Sequence, residues 1–257
     1  MTQTTAIGFF CHTKRMPTPD DMMRGYELIE AVFNKLGAKP TYFSADDGFG
    51  RGGYKKVGGA FQKRVLNQSA AGYRSVGLAA NPADSDAPGY DSFVSMDFAF
   101  GPEGEEVYLA LTANESFLRI GSGECEEIIA EIAEFWQWDY GFGFERDAFS
   151  MPGIYLVGGA SDRQSEEDRR RGEKWYACYQ PEERRKRVRD IFPYNVIGAG
   201  HLANGLLDGR SLRTFIATDQ DSELLALTDN LWLWKVSPDR TEAVRTKLGG
   251  SSIVISE

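Results

Sequence analysis

Histidine is nearly absent from this sequence: His12 and His201 are the only two in 257 residues. Cysteine is scarce as well, at Cys11, Cys125 and Cys178. A structural zinc site draws about four closely spaced Cys or His ligands, and no such set exists here, so no metal is expected. An odd, widely spaced trio of cysteines also excludes a disulfide framework and points to reduced thiols. No apolar run approaches the roughly 18 residues needed to cross a bilayer. The opening segment MTQTTAIGFFCHTK lacks the basic start and sustained apolar stretch of a signal peptide. A soluble, cytoplasmic protein is the expectation. Basic excess is missing too: Lys+Arg is 29 against Asp+Glu 38, a net charge of -9. Such a chain repels phosphate, which argues against direct nucleic-acid or membrane binding and favours a basic protein partner.

What is present reads as an α+β fold, with mixed or antiparallel sheets flanked by helices. Ile7 to Cys11 forms a buried strand. Thr18 caps a helix with Pro19 at its first position, Met22, Tyr26, Ile29, Val32 and Phe33 on its apolar face, and Gly37 at its end. A strand restarts at Thr41–Phe43, and the glycine-rich stretch 44–59 reads as an irregular loop. No G-x-x-x-x-G-K-[ST] phosphate loop occurs, so no nucleotide cofactor is expected. A short helix spans Phe61 to Leu66. Phe93 to Phe100 and Val107 to Thr112 form a β-hairpin. Ser122 opens a second amphipathic helix, and strands follow at Trp138–Phe144 and Gly153–Val157.

Residues 162–190 mix ten basic with eight acidic side chains. Near-balanced charge of this kind predicts a solvated helix or loop tethered by Trp175. IFPYN reads as a turn and Ser211–Ala217 as a helix. Leu224–Leu227 and Leu231–Val236 are strands, the second with Trp232 and Trp234 on one face. Pro238 opens a helix, and SSIVIS finishes as a strand. The helix–strand units 19–43 and 122–144 are alike. The chain therefore reads as a single domain, 1–257, with two loosely similar sub-halves, 1–118 and 119–257.

No catalytic residues stand out. A small hydrolase using paired carboxylates, or Cys125 or Cys178 with His201, is the alternative class, but no nucleophile motif surrounds those residues. The acids instead cluster on loops where a partner can reach them: Asp46, Asp47, Asp84, Asp86, Glu103, Glu105 and Glu106. Phe49, Arg51 and Tyr54 are residue types that anchor protein interfaces. These ten positions are the candidate partner-binding residues.

The segments DIFPYNVIGAGHL (190–202), SLRTFIATDQDSELLALTDNLWLWKVS (211–237) and AVRTKLGGSSIVIS (243–256) follow one another in an order that resembles the immunity protein 52 family. RGYELIEAVFNKLG (24–37) fits that family's opening. The resemblance implies an antidote of an interbacterial toxin, often one delivered by type VI secretion. It further implies stoichiometric binding of a cognate toxin, a restriction-endonuclease-fold DNase, at its active site or DNA groove, as a 1:1 or homodimeric 2:2 complex. An antidote that acts enzymatically is the remaining option. The family brings no catalytic residues with it. An acidic antidote would complement the basic face that a nuclease needs for DNA.

Overall fold

The computed structural model describes residues 2–48, 52–81, 92–101, 105–177, 181–206, 208–251 and 253–255. Ten strands form one sheet: β1 (Gln3–His12), β2 (Tyr42–Asp46), β3 (Gly52–Lys56), β4 (Ser75–Ala80), β5 (Val94–Phe100), β6 (Glu106–Asn114), β7 (Tyr140–Asp147), β8 (Tyr194–Gly198), β9 (Ser222–Ala226) and β10 (Leu231–Val236). Their order is β3-β2-β4-β5-β6-β1-β7-β8-β10-β9, and every pairing is antiparallel. The fold is α+β, as expected. β1 pairs with β6 on one side and β7 on the other, so it joins strands from both sides of the 118/119 boundary.

Helices α1 (Pro19–Lys35), α2 (Ala60–Asn67) and α3 (Gly123–Phe135) cover one face. Residues Ile29, Val32, Phe33 and Val65 and Ile128, Ile129 and Ile132 bury against Val76, Leu78, Met96, Phe98, Leu109 and Leu111 of the strands. Each fully buried side chain of this size contributes about 1.5–3 kcal/mol. Local chemistry fixes where α1 starts. The Thr18 hydroxyl accepts from the Asp21 amide (3.2 Å), and Asp21 accepts in return from the Thr18 amide (2.8 Å). Burial alone would raise the Asp21 carboxyl. Its hydrogen bonds from Arg15 and Thr18 outweigh that and hold it down to about 2.

The other face is covered over a different set of strands. Here α4 (Pro152–Leu156), α5 (Glu166–Ala177), α7 (Ala199–Ala203), α8 (Leu212–Thr218) and α9 (Thr241–Leu248) pack on β1, β7, β8 and β10; the single turn α6 (Pro181–Arg184) links α5 to this layer. Tyr140, Phe142, Phe144, Tyr155, Trp175, Phe192 and Trp234 make an aromatic cluster there. The first layer reaches from β2 across to Tyr194, Val196, Leu231 and Leu233 of β8 and β10, whereas the second includes no residue of β4 or β5. No helix of the described residues is long and apolar enough to cross a membrane.

Several local expectations give way. The 44–59 stretch contains paired strands β2 and β3, with Ser44 opposite Tyr54; Gly48, just after β2, takes a positive φ that favours glycine. Gly153–Leu156 lies in a helix that Val157 caps, because Met151 adopts a left-handed conformation and Pro152 starts α4 at its first position. Among the described residues of SSIVIS, Val254 makes an isolated bridge with Val188, and Ile253 is buried. Tyr194 and Asn195, the end of the IFPYN turn expected from the sequence, instead open β8, and α7 follows it. The charged tract does contain α5, and Trp175 is buried as expected. The tract is not solvated throughout, however. Arg189 and Asp190 are fully buried, with Arg189 donating to the Leu156 carbonyl (2.9 Å) and Asp190 held between Arg171 (3.0 Å) and Arg245 (2.6 Å).

Candidate partner-binding cleft

The offset of the layers leaves one sheet face open. On β4, β5 and β6 the residues aimed at the covered face are Val, Leu, Met and Phe, whereas those aimed at the open face are Ser75, Gly77, Ser95, Asp97, Ala99, Tyr108, Ala110 and Thr112. Strand alternation puts these small and polar residues on one surface. All of them but Gly77 line a cleft of about 590 Å³. Its wall is the segment from Ala148 through α4. That wall sits close because Gly8 and Gly153 lack side chains: a Cβ at Gly8 would lie 2.9 Å from Leu156, and one at Gly153 would lie 3.2 Å from Thr112. Phe93, Phe149 and Val157 also line the cleft, at 40%, 67% and 41% exposure, giving it an apolar rim.

Asp97 is the acid on the floor. Ser44 Oγ donates to its Oδ1 (2.9 Å), Tyr54 Oη to its Oδ2 (3.0 Å), and Ser95 Oγ approaches Oδ2 at 3.5 Å. Gly77 lies directly between Ser44 and Asp97 in the sheet. A Cβ there would sit 1.9 Å from Asp97 Oδ1 and 2.5 Å from Ser44 Oγ, so only glycine lets this carboxylate lie across β4. Asp97 and Arg163 are the two charged residues among those lining the cleft, and the Arg163 guanidinium stacks over Phe149 at 5.0 Å. Among the described residues, no lysine or arginine forms an ion pair with Asp97. Burial pushes the Asp97 carboxyl above its ordinary range, against the pull of the three hydroxyls. Burial also raises Tyr54 and takes Tyr108 up to about 12, with the Asp97 charge adding to both.

The sequence-derived candidates distribute unevenly around this cleft. Tyr54 lines it, and Asp46 ends the same cross-strand row as Ser75, Ala99 and Tyr108. Asp46 Oδ1 accepts from the Gly48 amide (2.6 Å). Asp47 follows at the end of β2. Glu105 and Glu106 lie at the start of β6, where Glu106 pairs with Arg184. Phe49, Arg51, Asp84, Asp86 and Glu103 lie outside the described residues, as does Cys178. Asp97 is the residue that sequence reasoning missed. Its signal was its position in the Phe93–Phe100 strand, facing away from the apolar side.

Of the groups of the alternative hydrolase, Cys125 and His201 lie outside this cleft. Burial takes the Cys11 and Cys125 thiols up to about 12, away from the thiolate needed for attack. His201 is buried, and both its ring nitrogens are engaged by backbone: Nδ1 accepts from the Gly198 amide (3.1 Å) and Nε2 donates to the Arg184 carbonyl (2.9 Å). Among the described residues, no group of three or more His, Cys, Asp or Glu side chains is arranged to hold a metal ion.

No family model matches this chain, and no curated protein matches it, so the likeness to the immunity protein 52 family rests on the sequence segments alone. Among solved structures, the Pseudomonas aeruginosa T6SS protein PA0821 is similar in fold, with a TM-score of 0.59 and 10% sequence identity, over 98% of this chain and 73% of that one.

Proposed function

We propose that this protein is an immunity protein, which binds a cognate toxin of the type VI secretion system and neutralises it by stoichiometric occlusion. The observation that carries this reading is the fold likeness spanning 98% of the chain to a protein named as a T6SS protein. The sequence segments that resemble the immunity protein 52 family point the same way. The net charge of -9 suits a partner with a basic surface, such as a nuclease of the restriction-endonuclease fold. An open cleft with an apolar rim and a charged floor is the kind of surface that anchors a protein partner.

The test is co-expression with the toxin encoded by the adjacent gene, followed by nuclease assays at graded ratios of the two proteins. Survival of the cells, and loss of nuclease activity that ends at one equivalent of this protein, are expected. Cells that die despite full expression would sink the proposal. Neutralisation by a small fraction of an equivalent would replace occlusion with an enzymatic antidote.

A further inference from the structure

We propose that the cleft takes a lysine side chain of the protein partner, with its ammonium group against Asp97. This rests on the reading of the chain as a binder and names the chemistry that its open face recognises.

The argument starts from an imbalance. Asp97 is placed at the cleft floor by three hydroxyls and by the missing side chain at Gly77. Hydroxyl donors satisfy a carboxylate's hydrogen-bonding capacity but leave its charge uncompensated. A half-buried carboxylate without a cation beside it costs stability, and an opposite charge at hydrogen-bond distance offsets that cost. The described residues supply no such charge, yet the cleft gives access to the carboxylate from outside. Arg163 is held at the rim by its stacking on Phe149.

The shape of the site selects the kind of cation. A carboxylate offers about four lone-pair positions, and the three hydroxyls take up most of them. Oδ1 is hemmed in by the backbone at Gly77. The two-pronged fork of an arginine, which needs both oxygens free, is therefore excluded without displacing Ser44 or Tyr54. A lysine ammonium needs one oxygen, and its other hydrogens can turn to the hydroxyl oxygens of Tyr54 and Ser95. The side chains of Ala99, Ala110 and Thr112 leave room for a thin aliphatic stem. Apolar neighbours of that lysine would meet Phe93, Phe149 and Val157, which favours a protein segment over a free diamine.

The test uses the intact protein and three peptides: acetyl-Leu-Lys-Phe-amide, its arginine analogue and its norleucine analogue. Binding is read from the amide resonances of Ser95, Ala99 and Ala110, and protonation from the Asp97 carboxyl carbon. The lysine peptide is expected to bind at least tenfold tighter than either analogue and to lower the titration midpoint of Asp97. Asp97→Asn should remove that preference. Ala110→Leu, which fills the cleft and leaves the acid in place, should abolish binding. Equal binding of the norleucine or arginine peptide, retention in Asp97→Asn, or no response at the cleft overturns the proposal. Toxin protection by Asp97→Asn at wild-type level, together with a failed lysine arm, removes the cleft and leaves the immunity reading standing. Lysine binding without any protection by the wild type does the reverse.

Discussion

Gly77 and Asp97 illustrate how one missing methyl group sets the character of a surface. The Asp97 carboxylate occupies the space in which any other residue at position 77 would place its Cβ. Gly77→Ala is expected to destabilise the protein by about 1–3 kcal/mol through this overlap, read as a lower urea midpoint at unchanged slope. Asp97→Gly in the same chain should recover part of the loss. The raised carboxyl of Asp97 has a sign of its own. A folded-state value above the unfolded one means that the folded protein holds the proton more tightly, so this residue costs stability at neutral pH and the cost fades as pH falls. Asp97→Asn should accordingly raise the melting temperature of the unliganded protein at pH 7; a clear decrease would contradict this. His201 has the opposite pH profile. Burial lowers it to about 4, so between its unfolded value near 6.5 and that figure the unfolded chain takes up a proton which the folded chain refuses. Stability should therefore drop as pH falls through this window, by on the order of 3 kcal/mol from this group. Its ring carbon resonance should still report a neutral imidazole at pH 5.

Elements with a strong local signal were legible in the sequence. The Thr18 cap, Pro19 and Gly37 bound α1, and Ser122 and Ser211 accept the capping bonds at the starts of α3 and α8. Short apolar runs were not, because periodicity cannot separate a turn of buried helix from a strand. Ile154–Leu156, read as part of a strand, lies in α4 for that reason. The glycine-rich strand pair was hidden by its own composition, since glycine marks both tight strand reversals and loops. Packing of α1 depends on another glycine that the sequence leaves unexplained. A Cβ at Gly25 would lie 2.3 Å from Phe98 on the sheet. Gly25→Ala gains about 1 kcal/mol in helix propensity, yet overpacking costs of about 1–3 kcal/mol should make the variant the less stable protein in urea denaturation. A stabilised Gly25→Ala would mean that α1 lifts freely from Phe98.

At the scale of the whole molecule, the α+β class followed from the alternating patterns, but the candidate cleft did not. It arises because one helical layer extends over β4 and β5 and the other stops short of them, a relation that no short stretch of sequence encodes. Loop acids drew the eye because they stand in polar surroundings. Asp97 sits inside a strand, where alternation alone reads as ordinary solvent exposure. The overall charge of -9 acts at longer range than the cleft. Association with a basic partner should slow by at least about tenfold between low salt and 0.5 M salt, while dissociation changes little. Stopped-flow rates independent of salt would exclude steering.

The double role of β1 bears on how the chain is made as well as on what it holds together. Its partner β6 is translated well before its partner β7, with α3 between them. At roughly 5–20 residues per second, one edge of β1 waits on the ribosome for seconds after the other has closed. That edge presents unpaired N–H and C=O groups on a strand whose two faces carry Phe9 and Phe10, the type of unsatisfied strand that invites capture by another nascent copy. On the proposed reading of the chain as an antidote, protection would begin only once β7 has reached β1.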